Sequence, residues 1–154
     1  MTRENLTSRL LQSGLCSPSS LRGCTAKEIR AIETSFGRAL PGEYKKLLGI
    51  MGKGAGDFIS DVTMYFPAIV KLTDKSRELL REVDVDLPPD AFVFASRYGE
   101  QLLFFHVKPD DDDPPIYRWH DERPKVFKKV FTSIWAFIEE ELTSHEYMLR
   151  DDDE

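Results

Sequence analysis

The chain has 154 residues, 41% hydrophobic and 11% aromatic, with 27 acidic against 21 basic side chains and a formal net charge of −6. That is enough for one domain with a real core and too little for two ordinary ones, and it argues against disorder. The negative balance disfavours a non-specific binder of nucleic acid or anionic membrane, and an acidic protein prefers basic partners.

No apolar run approaches the roughly 20 residues that span a bilayer. "MTRENLTSRLLQSG" lacks the apolar centre of a secretory signal, so the chain reads as cytoplasmic. Leu6, Leu10, Leu11 and Leu15 predict a short amphipathic N-terminal helix, followed by a loop around "CSPSSLRGC". Its cysteines, Cys16 and Cys24, can pair, but two free thiols are the more ordinary state in a cytosolic protein, and no zinc spacing exists. In "TAKEIRAIETSFG", Thr25 and Glu28 form a capping-box pattern, Ile29, Ile32 and Phe36 share a face, and Gly37 stands where a left-handed stop is wanted. Pro41 is placed for the first turn of a second helix, where its missing N–H costs nothing. Tyr44, Leu47, Leu48 and Met51 recur at helical spacing, so the two short helices form a helical hairpin.

From Asp57 the texture changes. "DFISDVTMYFPAIVKL" predicts a short strand, and "TDKSRELLREVDVD" a helix stopped by Pro88 and Pro89. "AFVFASRYGEQLLFFHV" predicts two strands around a turn near Gly99-Glu100, and "PPIYRWH" a third. Phe131, Ile134, Trp135, Ile138 and Leu142 form the apolar stripe of a closing helix, capped by Thr132 or Ser133. Helices, then a meander, then a helix indicate an α+β fold: a single domain with an N-terminal helical hairpin, a central antiparallel sheet and a closing C-terminal helix.

Few residues suggest chemistry. "GIMGKGAG" has the glycines of a phosphate loop, but a helix precedes it where a strand is needed and no Lys-Ser or Lys-Thr follows. His106 lies late in an apolar strand, His120 opens a polar turn and His145 is near the C-terminal end. None has a partner readable from spacing, no serine sits in a nucleophile elbow, and no cofactor or metal is implied. The acid runs Asp110, Asp111, Asp112, Asp113 and Asp151–Glu154 are the sharpest electrostatic features. Consecutive aspartates do not make a calcium loop, which alternates its ligands. They are solvated segments, or a negative surface that steers a basic protein into contact. Tyr117 and Trp119 follow the first run on one strand and are either core residues or anchors of a binding face.

The ordered set Gly23, Glu28, Ile29, Glu33, Gly37, Leu40, Pro41, Tyr44, Leu47, Leu48, Gly52 and Gly54, with Gly99-Glu100, "PPIYRW" and "SIWAFI", resembles the SUKH superfamily of Smi/Knr-type domains over Gly23 to Leu142. Ile134 replaces the family's usual aromatic. The resemblance divides the chain into an N-terminal helix and loop over 1–22, a SUKH-like α+β domain over 23–142 and an acidic C-terminal tail over 143–154. It implies a non-catalytic protein-binding domain: either an immunity protein that neutralises a toxin, often a nuclease, or a regulatory scaffold of the cell-wall-regulator type. The partner it implies is a protein, here a basic toxin domain, with no direct contact to nucleic acid or membrane. The family's binding surfaces vary, so Asp110–Asp113, Tyr117 and Trp119 are candidates on charge and placement alone.

Overall fold

A computed structural model of the chain describes residues 3–152, with side chains from Glu4 to Met148. Five helices surround a four-stranded antiparallel meander. Helix α1 (Arg3–Gln12) buries Leu6 and Leu10 completely, while Leu11 points outward at 37% exposure and Leu15 is buried beyond the helix end. Arg9 holds α1 to the closing helix through Glu139 at 2.6 Å and Glu146 at 3.2 Å.

The loop expected around "CSPSSLRGC" contains a two-residue strand, β1 (Leu21–Arg22), paired with β2 (Gly54–Ala55). The glycine cluster therefore closes a small antiparallel ribbon. Gly54, at φ 151°, supplies a backbone that L side chains rarely adopt. Cys16 and Cys24 are both buried free thiols, and burial pushes the Cys24 thiol up to about 11, away from reactive thiolate.

Helix α2 (Ala26–Phe36) begins with the expected capping box, in which Glu28 N–H donates to Thr25 Oγ1 and Thr25 N–H to Glu28 Oε1. It ends at Gly37, φ 90°, in the left-handed conformation. Helix α3 (Gly42–Met51) starts one residue later than expected, with Pro41 as its N-cap, and buries Tyr44, Leu47, Leu48, Ile50 and Met51.

The strand expected within 57–72 is absent. A single bridge joins Thr63 to Ser96, and α4 (Ile69–Arg81) starts upstream of Thr73. It stops well before Pro88, because Asp84 turns left-handed at φ 56° and Val85 and Leu87 then bury with a period of two. Both Thr63 and α4 guard an edge. Strand β3 (Ala91–Arg97) is outermost, and its unpaired groups are satisfied by the Thr63–Ser96 backbone pair and by Thr73 Oγ1, which accepts from Val93 N–H at 3.0 Å.

Strand β4 (Gln101–His106) follows a tight turn in which Tyr98 and Gly99 both have positive φ. Strand β5 (Ile116–His120) is the third of the predicted strands. A fourth, β6 (Phe127–Phe131), was not expected: "FKKVF" is too short to declare a period, and it takes Phe131 out of the predicted helical stripe. Its exposed Lys128 and Lys129 blunt the sheet's far edge. Helix α5 (Ile134–Asp152) is capped by Ser133, whose Oγ accepts from Ala136 N–H, and not by Thr132. It continues through the segment expected as a tail; the acid run 151–154 lies outside the described side chains.

The core is an aromatic stack on one sheet face. Phe105 lies between Phe92 and Phe94 at 5.5 and 5.6 Å, Tyr44 of α3 covers all three rings, and Phe137 of α5 meets Phe94 at 5.6 Å. Phe92 and Phe94 share that face by strand alternation, and the bulge between Val93 and Ala95 leaves Phe94 as the extra residue and brings Ala95, opposite Leu103, to the same side.

Candidate partner-binding surfaces

The β4–β5 connection carries Asp110–Asp113, and its base is docked. Glu43 N–H donates to the Asp112 carbonyl at 3.0 Å, and Asp112 Oδ1 lies 3.4 Å from Gly42 N, both in the first turn of α3. The Asp113 carboxylate accepts from Ile134 N–H in the first turn of α5. Carboxylates at two helix N-termini are favourably placed, since each meets free N–H groups and the positive end of a helix dipole. Burial raises the Asp113 carboxyl above its ordinary range, opposed by that hydrogen bond. The tip is solvated as expected, with Asp110, Asp112 and Asp113 exposed and Asp111 half-buried, but Asp112 and Asp113 also fasten the loop. Beside it runs a cleft of about 510 Å³ where Arg38, Lys45 and Lys108 offset part of the acid charge.

Glu43 joins the same helix ends. Its Oε2 accepts from Trp135 Nε1 at 2.8 Å and its Oε1 from Lys46 Nζ at 2.9 Å, which holds its carboxyl below the usual range, the Trp135 bond first. A depressed folded-state pKa contributes stability that is present above the unfolded carboxylate range and lost as pH falls through the folded value. Glu43→Gln is therefore expected to lower the melting temperature at neutral pH, with the gap to wild type closing as pH drops below about 4. Melts from pH 7 downward check this; a pH-independent gap would mean that the ionised carboxylate contributes nothing.

Trp119 is no anchor. It is 3% exposed, donates its Nε1–H to the Pro124 carbonyl at 3.0 Å, and lies opposite Leu102 in the sheet. Tyr117, half-buried, stacks on Phe104 at 5.7 Å and meets the His106 ring edge-on at 5.2 Å. Both side chains are on the sheet face opposite the aromatic stack, because their cross-strand partners are Phe104 and Leu102. The structure separates the expected site into an acid loop and a packed sheet face.

The three histidines are engaged locally in different places. His106 Nδ1 lies 2.8 Å from Asp90 Oδ1, His120 Nδ1 accepts from Glu122 N–H, and His145 Nδ1 meets the Glu141 carbonyl while its ring edges onto Phe58. Among the described residues no group of three or more His, Cys, Asp or Glu side chains is placed to hold a metal ion, and no helix is long and apolar enough to cross a membrane.

A second surface was not read from the sequence. Between the sheet and α5 lies a groove of about 380 Å³ with Leu103 and Arg118 on its floor and Glu140 and Glu141 on its helical wall. It continues past Gln101 and Arg118 into a shallower stretch of about 450 Å³ bounded by Arg123 and Lys128. Burial raises the Glu141 carboxyl, against the pull of Arg97 and His145. Arg97 Nε is buried without a hydrogen-bond partner, its nearest carboxylate being Asp61 at 3.6 Å. The only sequence signal was basic residues set among apolar ones in "IYRWH" and "FKKVF", which shows no groove until α5 is in place.

The helix-capping Thr25 and Gly37, the core-facing Tyr44, the Gly99 turn and the Ser133-capped helix occur in the order of one family. The model of the SMI1 / KNR4 family (SUKH-1) matches residues 23–140. The chain belongs to that family. Compared with curated proteins, it matches none. In this SMI1 / KNR4 domain the docked Asp112 and Asp113, Glu43 and the groove floor all lie within the matched span. Helix α1 and the last turns of α5 lie outside it.

Proposed function

We propose that this SMI1 / KNR4 domain is a non-catalytic binding protein of the immunity type, which binds a toxin domain and blocks its active site or substrate groove. The observation that carries the reading is the β4–β5 loop. Its base is fixed on the N-termini of α3 and α5, so the run, with Asp110, Asp112 and Asp113 exposed, is presented on a rigid support in a chain of net charge −6. Charge presented in this way favours a basic partner, as a nuclease groove is, and acts mainly on the rate of encounter. Membership of SUKH-1 supports the reading, since the family resemblance implies immunity proteins among its bacterial members.

Capture of binding proteins on the immobilised chain, identified by mass spectrometry, supplies the partner; inhibition of that partner's toxicity tests the function. Asp110→Asn with Asp111→Asn is expected to slow association about tenfold at low salt, with little effect at high salt or on dissociation. Asp112 and Asp113 are left unchanged because they hold helix ends. Association unchanged at low salt would remove the loop from the interface. A captured partner that is not a toxin would favour the regulatory scaffold instead.

A further inference from the structure

The groove floor breaks a rule of sheet construction. Arg118 of β5 lies directly opposite Lys128 of β6 in the antiparallel register. Like charges in that position repel and destabilise the pair. Among the described residues Arg118, Lys128 and Arg123 form no ion pair within 4 Å and no side-chain hydrogen bond, although Glu122, Glu140 and Glu141 line the same groove farther off. Arg97 at the other end differs, since Asp61 and Glu141 face it. Cations not engaged in a direct ion pair thus share one strip of an acidic chain. A local rule broken without visible compensation inside the molecule is expected where a ligand supplies the compensation.

We propose that Arg118 and Lys128 seat a carboxylate carried by an acidic, partly apolar peptide segment of the protein partner. The proposal rests on the protein-binding reading above and adds a second contact of opposite sign to the acid loop. Two features select a peptide over a nucleic acid. The groove's wall and end carry Glu140, Glu141 and Glu122, which repel a polyphosphate but leave room for one or two carboxylates on the floor. Leu103, Val130 and Phe131 add an apolar lining suited to a neighbouring aliphatic or aromatic side chain. Arg118 presents a planar fork that matches a carboxylate in bidentate fashion, and Lys128 adds a point charge beside it.

The probe is a library of random dodecapeptides displayed on phage and selected on the immobilised full chain. Peptides carrying Asp or Glu next to apolar residues are expected to be enriched. Synthesised and titrated into the isotope-labelled chain, they should shift the amide signals of Gln101, Leu103, Arg118 and Lys128. Arg118→Gln and Lys128→Gln should each weaken binding by about tenfold or more, the scale of one charge-assisted hydrogen bond. Both variants relieve the like-charge pair, so both are expected to fold. Asp110→Asn with Asp111→Asn should leave peptide affinity unchanged.

Lysine- or arginine-rich peptides, no enrichment, shifts elsewhere, or affinities unmoved by the two variants would each overturn the seat. A single-stranded oligonucleotide that displaces the peptide and binds as tightly would make it a phosphate site and overturn it too. The two proposals fail separately. If the peptide seats here but no toxin is neutralised, the immunity reading falls alone; if a toxin is neutralised with unchanged affinity by both variants, the seat falls alone.

Discussion

Replacing Tyr44 with alanine is expected to remove about 3–5 kcal/mol of stability, the usual range for deleting a buried aromatic ring. Tyr44 is 3% exposed and its ring lies 5.5, 6.1 and 5.2 Å from those of Phe92, Phe94 and Phe105. It is the contact through which α3 closes the sheet's aromatic stack, so alanine leaves a cavity bounded by three rings on a strand pair that cannot collapse inward. Burial pushes the phenol far up, so the ring stays neutral throughout the working pH range. Tyr44→Phe keeps the ring and is expected to cost much less. Urea melts of the three proteins decide it. A wild-type midpoint for Tyr44→Ala would mean that α3 is not part of the cooperative core.

Gly23→Ala is expected to be nearly as damaging for a different reason. A Cβ built on Gly23 lies 1.9 Å from the Gly49 carbonyl oxygen and 2.6 Å from its carbon. Both contacts are backbone, so no side chain can turn aside. The two segments are also tied together: Cys24 N–H donates to the Leu48 carbonyl at 2.8 Å, and Lys53 N–H to the Arg22 carbonyl at 2.9 Å. Separating them breaks the β1–β2 ribbon and the seat of α3. The expected loss is about 3 kcal/mol, the upper end for overpacking. Gly49→Ala is the control, because the Cβ built there meets nothing within 4 Å and the site is a helix interior. It should gain about 0.5–1 kcal/mol from helix propensity. Equal melting temperatures for Gly23→Ala and wild type would show that α3 shifts freely against the ribbon.

On the two proposals above, the surfaces divide the work of recognition by sign. The acid loop presents its exposed aspartates above the helix ends, where charge acts at long range on encounter. Arg118 and Lys128 lie in a groove with an apolar lining, where desolvation makes a single ionic contact worth more once the partner is seated. A partner with a basic face and a protruding acidic segment satisfies both.

Local chemistry was legible in the sequence wherever a side chain acts on its own backbone. Thr25 with Glu28, Gly37 and the Gly99 turn each satisfy or relax groups within a few residues, so their roles can be read without knowing the fold. The stripes of α3 and α5, and the paired strands around Tyr98-Gly99, were legible because a single period runs through each. These determined the α+β class and, through their order, the family.

What depends on elements distant in the chain was decided only by tertiary structure. The ribbon joins Leu21–Arg22 to Gly54–Ala55, two pairs too short to carry a pattern. Strand β6 exists because β5 offers it an edge, and the segment expected as a strand near Thr63 became an edge guard with one bridge, since α4 occupies the rest of that edge. The same holds for function. Asp110–Asp113 is largely exposed, as its composition suggested, but that Asp112 and Asp113 also meet the N-termini of α3 and α5 could not be read from the run itself. Arg118 and Lys128 are ordinary exposed cations in sequence. Only the register that sets them opposite one another, and the helix that walls the groove beside them, brings them together as the seat proposed above.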